Sequence, residues 1–136
     1  MTPETIALIE SSYAALGPRR SELTALFYAR LFERAPSVRT LFPRTMDNQA
    51  MKLADTLSVV VQHIHSLDTV APALMEMGAR HAQYGAAPAH YPIVRDTLLG
   101  ALAELLEGSW DQATEDAWRT AIDLISETML AGVPQR

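Results

Sequence analysis

His81 is the side chain of this sequence whose type and position point most directly to chemistry. Leu74, Met77 and His81 fall at positions i, i+3 and i+7, so a helix through them points the imidazole from the same face as two apolar side chains. An imidazole among aliphatic groups must find a hydrogen-bond partner, lose its proton or bind a metal, because an unsatisfied polar group there costs about 1–3 kcal/mol. A hydrogen-bonded core histidine and a metal ligand are both open interpretations.

Tyr28 and Gln49 are two further polar residues beside predicted apolar helix faces. Tyr28 borders the apolar stripe of the second predicted helix, and Gln49 precedes Leu53 by one turn on the next stripe. A core tyrosine whose hydroxyl reaches solvent and a solvated first-turn glutamine would explain both residues without any ligand. Their roles stay open on this pattern alone.

Composition limits the class of protein. The chain has 136 residues, 49% of them hydrophobic, and a net charge of −5 with 11 scattered Lys and Arg, which favours one domain over residues 1–136 and argues against nucleic-acid or membrane partners. Cysteine is absent, so disulfides, thiolate metal sites and cysteine nucleophiles are excluded. Without a signal-like start or a run of ~18 apolar residues, we expect a soluble, cytoplasmic protein.

The spacing of apolar residues predicts an all-α chain. No alternating run of β-branched residues and no Asn-Gly or Asp-Gly pair indicates a strand or hairpin. A short turn from Pro36 to Phe42 cannot hold itself, so Phe42 must pack against another segment. The predicted helices are Pro3 to Leu16, Arg20 to Ala35, Gln49 to Leu67, the His81 helix ended at Gly85, Pro92 to about Gly108, and a last helix that Ser109 or Asp111 caps and Gly132 ends.

The order of these features resembles bacterial globins, specifically single-domain haemoglobins similar to the globin domain of flavohaemoglobins. The steps of 28 residues from Leu53 to His81 and of 10 residues from His81 to Tyr91 are similar to that family's spacing. The resemblance implies a globin fold, a three-on-three helical sandwich, with a haem b between the helix 49–67 and the His81 helix. It covers nearly the whole chain and rests on the segments Leu26–Phe32, Leu41–Phe42, Gln49–Leu53, Gly78–His81, His90–Val94 and Asp116–Trp118.

The resemblance makes His81 the proximal ligand of the haem iron. The other nitrogen of such a ligand needs an acceptor that fixes its tautomer, and a backbone carbonyl near Met77 is the expected one. Tyr91 matches a tyrosine that bears on this histidine in flavohaemoglobins. The glutamate that accompanies it there has no match, because its place falls near Gln135 and the nearest upstream acid is Glu127. This departure argues against a strongly electron-donating proximal side.

On the opposite face, the resemblance places Tyr28 and Gln49 over the open iron position, with Leu53 narrowing the pocket. Each O–H or N–H donor that contributes ~1–2 kcal/mol to holding O₂ slows its release about tenfold or more, with far less effect on neutral CO. Phe42 would stack on the porphyrin or belong simply to the core, and Lys52 and Arg80 would reach the propionates or remain solvated charges. The further expected haem contacts are Leu57, Met77, Tyr84, Tyr91, Val94 and Leu98.

Three functions remain open from the sequence. The first is reversible binding of O₂, CO and NO for storage, transport or scavenging, by a monomer or a homodimer. The second is nitric oxide dioxygenation, for which a separate reductase is the expected partner because the sequence has no flavin or nicotinamide domain. The third is a haem-free, globin-like regulatory module.

Overall fold

Six α-helices make up the fold in a computed structural model that describes residues 1–134. No strand occurs in this range, which confirms the all-α prediction. No helix within it has both the length and the apolar composition of a bilayer-spanning segment. The helices are α1 Pro3–Leu16, α2 Arg20–Arg34, α3 Asp47–Gln62, α4 Ala71–Gln83, α5 His90–Leu106 and α6 Gln112–Ala131, with short 3₁₀ turns at Gly17–Arg19, Pro36–Leu41, Leu67–Val70 and Glu107–Ser109.

Side-chain caps begin the first and last helices. The Thr2 hydroxyl accepts a hydrogen bond from the Thr5 N–H at 3.1 Å, and the Asp111 carboxylate accepts one from the Thr114 N–H at 2.8 Å. Hydrogen bonds from Thr114 lower the pKa of Asp111, because they favour its charged form. Asp111 is therefore the cap of α6, and the alternative, Ser109, lies in the preceding turn.

Several predicted helix boundaries are wrong, among them the start of α3, which lies at Asp47 instead of Gln49. The α3 helix ends at Gln62 instead of Leu67, because the His63 N–H is shared between the carbonyls of Val59 and Val60 and the α-helical bonding pattern tightens there. The α5 helix begins at His90, two residues before Pro92, and the His90 ring accepts a hydrogen bond from the preceding loop at 2.9 Å. The helical spacing of apolar residues does not change at either boundary, so the sequence pattern could not locate the end of α3 or the start of α5.

Helices α3 and α4 pack against different neighbouring helices. Helix α2 packs on α5 and α3, whereas α6 carries α1, α5 and α4. Trp118 lies in the centre of this core, where its indole N–H donates to the Ser12 hydroxyl at 2.8 Å. Helix α4, which carries His81, is thus held mainly by α6.

Gly78 and Gly132 allow α4 and α6 to meet backbone to backbone. A Cβ atom at Gly78 would overlap the carbonyl group of Met129, and one at Gly132 would overlap that of Met75. Since Gly78 precedes His81 by three residues, the contact fixes the position of the His81 turn on α6.

We expect Gly78→Ala to destabilise the protein by about 1–3 kcal/mol, because the atoms that its methyl group meets belong to backbone and cannot rotate away. Gly100→Ala is the matched control, since Gly100 is an exposed residue of α5 with open space around it. Higher helix propensity should make that variant more stable by up to about 1 kcal/mol. Urea denaturation followed by circular dichroism measures both, and equal effects would contradict the close α4–α6 contact.

Phe42 packs into an aromatic cluster with two residues of α2. Its ring centroid lies 5.6 Å from that of Tyr28 and 5.4 Å from that of Phe32, both edge to face. Such pairs stabilise by about 0.5–1.5 kcal/mol beyond the area that they bury. The cluster anchors the short 3₁₀ turn on α2, as the sequence requires.

Arg39 holds the chain that follows this cluster. Its guanidinium carbon lies 5.0 Å from the ring centroid of Phe32, and its nitrogens donate to the carbonyl oxygens of Pro43 at 2.8 Å and Arg44 at 2.9 Å. Stacking and two charge-assisted hydrogen bonds act on the same side chain. Arg39 therefore ties the segment after Phe42 to α2.

We expect Arg39→Ala to lower stability by about 1–3 kcal/mol and Arg39→Lys to recover less than half of the loss, because an ammonium group cannot stack and donate in the same fork. Arg44→Ala removes the same charge from an exposed side chain and serves as the control. Thermal unfolding reports stability, and amide hydrogen exchange over residues 42–46 reports local opening. Equal effects of Arg39→Ala and Arg44→Ala would show that Arg39 does not act as a clamp.

Candidate functional site

A cleft lies between α3 and α4. It contains a cavity of about 180 Å³ whose walls are almost wholly apolar. Because α3 rests on α2 and α4 rests on α6, the two helices border the cavity without filling it. The lining residues are Asp55, Thr56, Val59 and Val60 of α3, with Val70, Ala73, Leu74 and Met77 of α4 and the turn before it.

The cavity joins the C-terminal half of α3 to the N-terminal half of α4. Gln49 and Leu53 lie further toward the start of α3 on the same helical row as Val60, and His81 lies one turn beyond Met77 on α4. Their placement opposite one another across the cleft stays a prediction.

His81 is half-buried, and a local hydrogen bond orients its ring. Nδ1 lies 2.7 Å from the carbonyl oxygen of Met77, and because a carbonyl can only accept, Nδ1 carries the proton. Nε2 is then left with a free lone pair, the form in which a neutral imidazole binds a metal. A single nitrogen suits a metal that brings its other ligands, so this donor chemistry fits the haem iron that the sequence resemblance implies.

The other residues that are expected to contact the haem differ in solvent exposure, from buried to exposed. Leu98 is buried, whereas Tyr84 and Val94 are 60% and 37% exposed. Arg80 donates to Glu76 at 2.9 Å on the exposed side of α4. Lys52 is also exposed, and the half-buried members are Phe42, Gln49, Leu53, Leu57, Met77 and Tyr91. Their contacts with a cofactor remain predictions.

The sequence expectation about the proximal side concerns Tyr91, Glu127 and Gln135. Tyr91 is half-buried, and burial raises the pKa of its hydroxyl. Within residues 1–134, the His81 ring bonds to the Met77 carbonyl, and no hydrogen bond joins it to Tyr91 or to the exposed Glu127. Gln135, where the family glutamate would fall, lies outside the described residues. The weakly electron-donating proximal side therefore stays a prediction.

Tyr28 is a buried tyrosine with an uncommitted hydroxyl. Its side chain is 9% exposed, and desolvation by burial raises its pKa to about 12, so it keeps its O–H throughout the neutral range. The ring is fixed by Phe27 at 5.0 Å and by the aromatic cluster described above. No group in the described part of the chain forms a hydrogen bond with the hydroxyl, so it is available as a donor.

Sequence reasoning missed several residues that shape the site. Thr56 lies three residues after Leu53 on the same row, so helical spacing had the information to find it. Arg39 and the pair Gly78 and Gly132 gave no such signal, since their roles depend on contacts with other segments.

Comparison with known proteins identifies relatives of the whole chain. A family model described as Globin matches residues 25–129. An uncharacterized globin-like protein of Aquifex aeolicus is 29% identical over 96% of this chain and 92% of the relative. A flavohemoprotein of Bacillus subtilis is 30% identical over 93% of this chain, and one of Vibrio cholerae is 28% identical over 96%. This chain spans only 33% and 34% of the length of these two flavohemoproteins.

Solved structures give the same family. A bacterial globin from Campylobacter jejuni is 28% identical, with a TM-score of 0.85 over 96% of this chain and 95% of the other. An engineered carbene transferase, described as a candidate nitric oxide dioxygenase from Rhodothermus marinus, is 28% identical, with a TM-score of 0.87 over 96% of this chain and 92% of the other. These likenesses confirm the predicted globin fold. The match over residues 25–129 shows that the chain belongs to the globin family.

Proposed function

We propose that this protein binds a haem b through His81 and uses it to bind O₂, CO and NO reversibly, for storage, transport or scavenging. The observation that carries the proposal is the His81 ring, which the Met77 carbonyl holds at Nδ1 so that Nε2 makes no bond within the chain, one helical turn beyond the Met77 side chain that lines an apolar cleft. Membership of the globin family supports it. A cytoplasmic location and a monomeric or dimeric state are parts of the same proposal.

Each wall of the cleft has a role in this proposal. When bound, the haem supplies an iron position that accepts a diatomic gas. On the α4 side, His81 would hold the metal, the Met77 carbonyl orients the His81 ring, and the Met77 side chain would contact the cofactor. The apolar α3 side would exclude water, Leu53 would restrict the space for the gas, and Phe42 would contact the cofactor. Lys52 and Arg80 sit on exposed surface where cofactor carboxylates can be paired.

Tyr28 and Gln49 are the proposed donors to the gas. The neutral Tyr28 hydroxyl lacks an internal partner and its ring is clamped by aromatic neighbours, so donating to a ligand costs little reorganisation. The Gln49 side chain is half-buried at the start of α3, on the row that borders the cleft. O₂ gains more than CO from these donors, because it draws more negative charge.

Loss of the imidazole should remove the characteristic haem spectrum. We expect the purified protein loaded with haemin to show a sharp Soret band, and His81→Ala to weaken or shift it. His65→Ala is the control, since His65 is an exposed histidine near Glu10 and should leave the band unchanged. Protein that stays colourless with haemin would favour the haem-free regulatory module, and an unaltered band in His81→Ala would assign the metal to another side chain.

Tyr28→Phe tests the distal donor. We expect O₂ release about tenfold faster and CO release nearly unchanged, because only the O–H is lost. With the pKa of Tyr28 near 12, the ratio of wild-type to variant O₂ rates should be constant from about pH 6 to pH 10. Tyr13→Phe is the control, since the Tyr13 hydroxyl pairs with Ser58 at 2.6 Å on the far side of α3. Equal acceleration of O₂ and CO release would mean that Tyr28 acts only by shape.

Nitric oxide dioxygenation is the second candidate function. It is favoured by the likeness to the Rhodothermus marinus protein and by the flavohemoproteins among the relatives. The reaction converts NO and O₂ to nitrate and needs an electron for each turnover, so a separate reductase is the proposed partner. NO consumption with NADH plus reductase, compared with a reductase-free control, separates the two functions. Single-turnover behaviour in both would exclude the enzyme.

A further inference from the structure

Positive charge is concentrated in two segments of this chain, residues 34–54 and 77–95. Together they hold six of the 11 Lys and Arg and only one of the 16 acidic residues, a net charge of +5. The rest of the described chain holds four Arg and 15 acidic residues, a net charge of −11. An acidic protein therefore contains one strongly basic part. Its basic residues are Arg34, Arg39, Arg44, Lys52, Arg80 and Arg95, and its acid is Asp47.

The fold brings the two basic segments together at one end of α2. Arg34, the last residue of α2, donates to the Thr97 hydroxyl of α5 at 3.3 Å. Gly85, which follows α4, lies so near the Leu41 side chain that a Cβ atom at Gly85 would be 2.9 Å from it. Because Gly85 follows His81 by four residues, the turn that ends at Leu41 lies beside the end of α4 that carries His81.

The charges of the first segment are not neutralised by carboxylates. Among the ten Lys and Arg of residues 1–134, five pair with a carboxylate. Of the five that form no ion pair in this range, four belong to segment 34–54. They are Arg34, Arg39, Arg44 and Lys52. Since Lys52 is already proposed to pair with the cofactor, we define the basic surface as Arg34, Arg39 and Arg44.

The three guanidinium groups of the basic surface are held close to one another. Arg34 ends α2, and Arg39 stacks on Phe32 of the same helix with 5.0 Å between the guanidinium carbon and the ring centroid. Arg39 also donates to the Arg44 carbonyl at 2.9 Å. Arg34 and Arg44 are exposed, and Arg39 is half-buried. Uncompensated surface charges of one sign attract a partner of the other sign and speed its association.

The distribution of charge favours a compact acidic protein over an extended polyanion. Nucleic acid or an anionic membrane would extend past the basic surface and meet the acidic remainder of the chain, which would repel it. A compact partner can contact the basic surface alone. The same repulsion would keep an acidic partner away from the other faces of the protein, so charge selects both the partner and the face to which it binds.

Tyr84 brings this part of the molecule close to the candidate metal ligand. Its ring centroid lies 6.2 Å from that of His81, and 60% of the residue is exposed. Tyrosine is one of the residues that are enriched in protein interfaces. A partner that contacts both the basic surface and Tyr84 is separated from the His81 ring by a single side chain.

We propose that the basic surface is the docking site of a compact acidic electron-donor protein. In the complex, the reduced cofactor of the donor loses one electron, ferric haem iron gains it and becomes ferrous, and no bond is made or broken. This transfer rests on the haem function proposed above, whereas docking depends only on the charges of the chain. The surface thus identifies the separate reductase by its chemistry, as an acidic protein.

Isothermal titration calorimetry of the purified protein tests docking, with oxidised flavodoxin, a compact acidic flavoprotein, as the probe. We expect saturable one-to-one binding at about 20 mM salt that weakens about tenfold or more at about 200 mM salt, because salt screens exposed charges. A DNA duplex of about 20 base pairs should bind more weakly, since it also meets the acidic remainder of the chain. Absence of flavodoxin binding would overturn the proposal, and so would equal or tighter binding of the duplex.

Charge reversal locates the docking site. Arg44→Glu and Arg34→Glu should each weaken flavodoxin binding about tenfold, because each replaces attraction by repulsion. Arg19→Glu makes the same change in net charge at the other end of α2 and should alter affinity less than about twofold. Circular dichroism checks the fold, and Arg44→Glu, at an exposed position, decides the question should Arg34→Glu not fold. Equal losses in Arg44→Glu and Arg19→Glu would refute the assignment.

Reduction kinetics separate this proposal from the proposed function. With haem-loaded ferric protein at low salt, Arg44→Glu should slow reduction by reduced flavodoxin about tenfold and leave reduction by photoreduced deazariboflavin, a small neutral reductant, unchanged. A protein that takes up no haem but binds flavodoxin through Arg44 would refute the haem function and retain the docking surface. A haem protein that flavodoxin reduces equally fast with and without Arg44 would refute the docking surface alone.

Discussion

The backbone contact between α4 and α6 is the constraint on which the site depends. A helix packs with the face that it can bring closest, and on α4 that face contains Gly78, which meets the Met129 backbone. Each glycine in a helix lowers helix stability by about 1 kcal/mol relative to alanine. At Gly78 this loss accompanies a close approach of the α4 and α6 backbones. Leu74, which lines the cleft toward α3, lies one turn before Gly78, and His81 lies one turn after it, so the glycine contact sets the position of both residues.

The opposite wall is held by a different kind of interaction. Aromatic edges and the Arg39 guanidinium tie the turn around Phe42 to α2, and α3 packs on α2 as well. The two walls therefore have separate anchors, α6 for one and α2 for the other. Anchors that do not share residues can keep a gap open, because collapse of the cleft would require breaking one of them. The same anchoring fixes Tyr28, which is part of the aromatic cluster.

Features that depend on local spacing were predictable, and those that depend on distant contacts were not. The hydrogen bond between His81 and Met77 spans one helical turn, and Asp111 caps a helix three residues away, so both follow from neighbours in the chain. The predicted end of α3 was wrong because Ile64, which follows the last helical residue, is also buried and continues the helical spacing of apolar residues. The close approach of Gly78 to the Met129 backbone involves residues about fifty positions apart, and the spacing of apolar residues cannot predict such a contact.

Hydrogen bonding separates the structural polar groups from the functional ones. Buried Thr97 donates to the Ile93 carbonyl at 2.6 Å, and buried Trp118 donates to Ser12, so these groups complete the core. The Tyr28 hydroxyl, by contrast, has no hydrogen-bond partner in the described chain, and burial keeps it neutral. A neutral hydroxyl fixed among aromatic rings gains most from a weakly polar ligand, because it brings no charge that must be balanced.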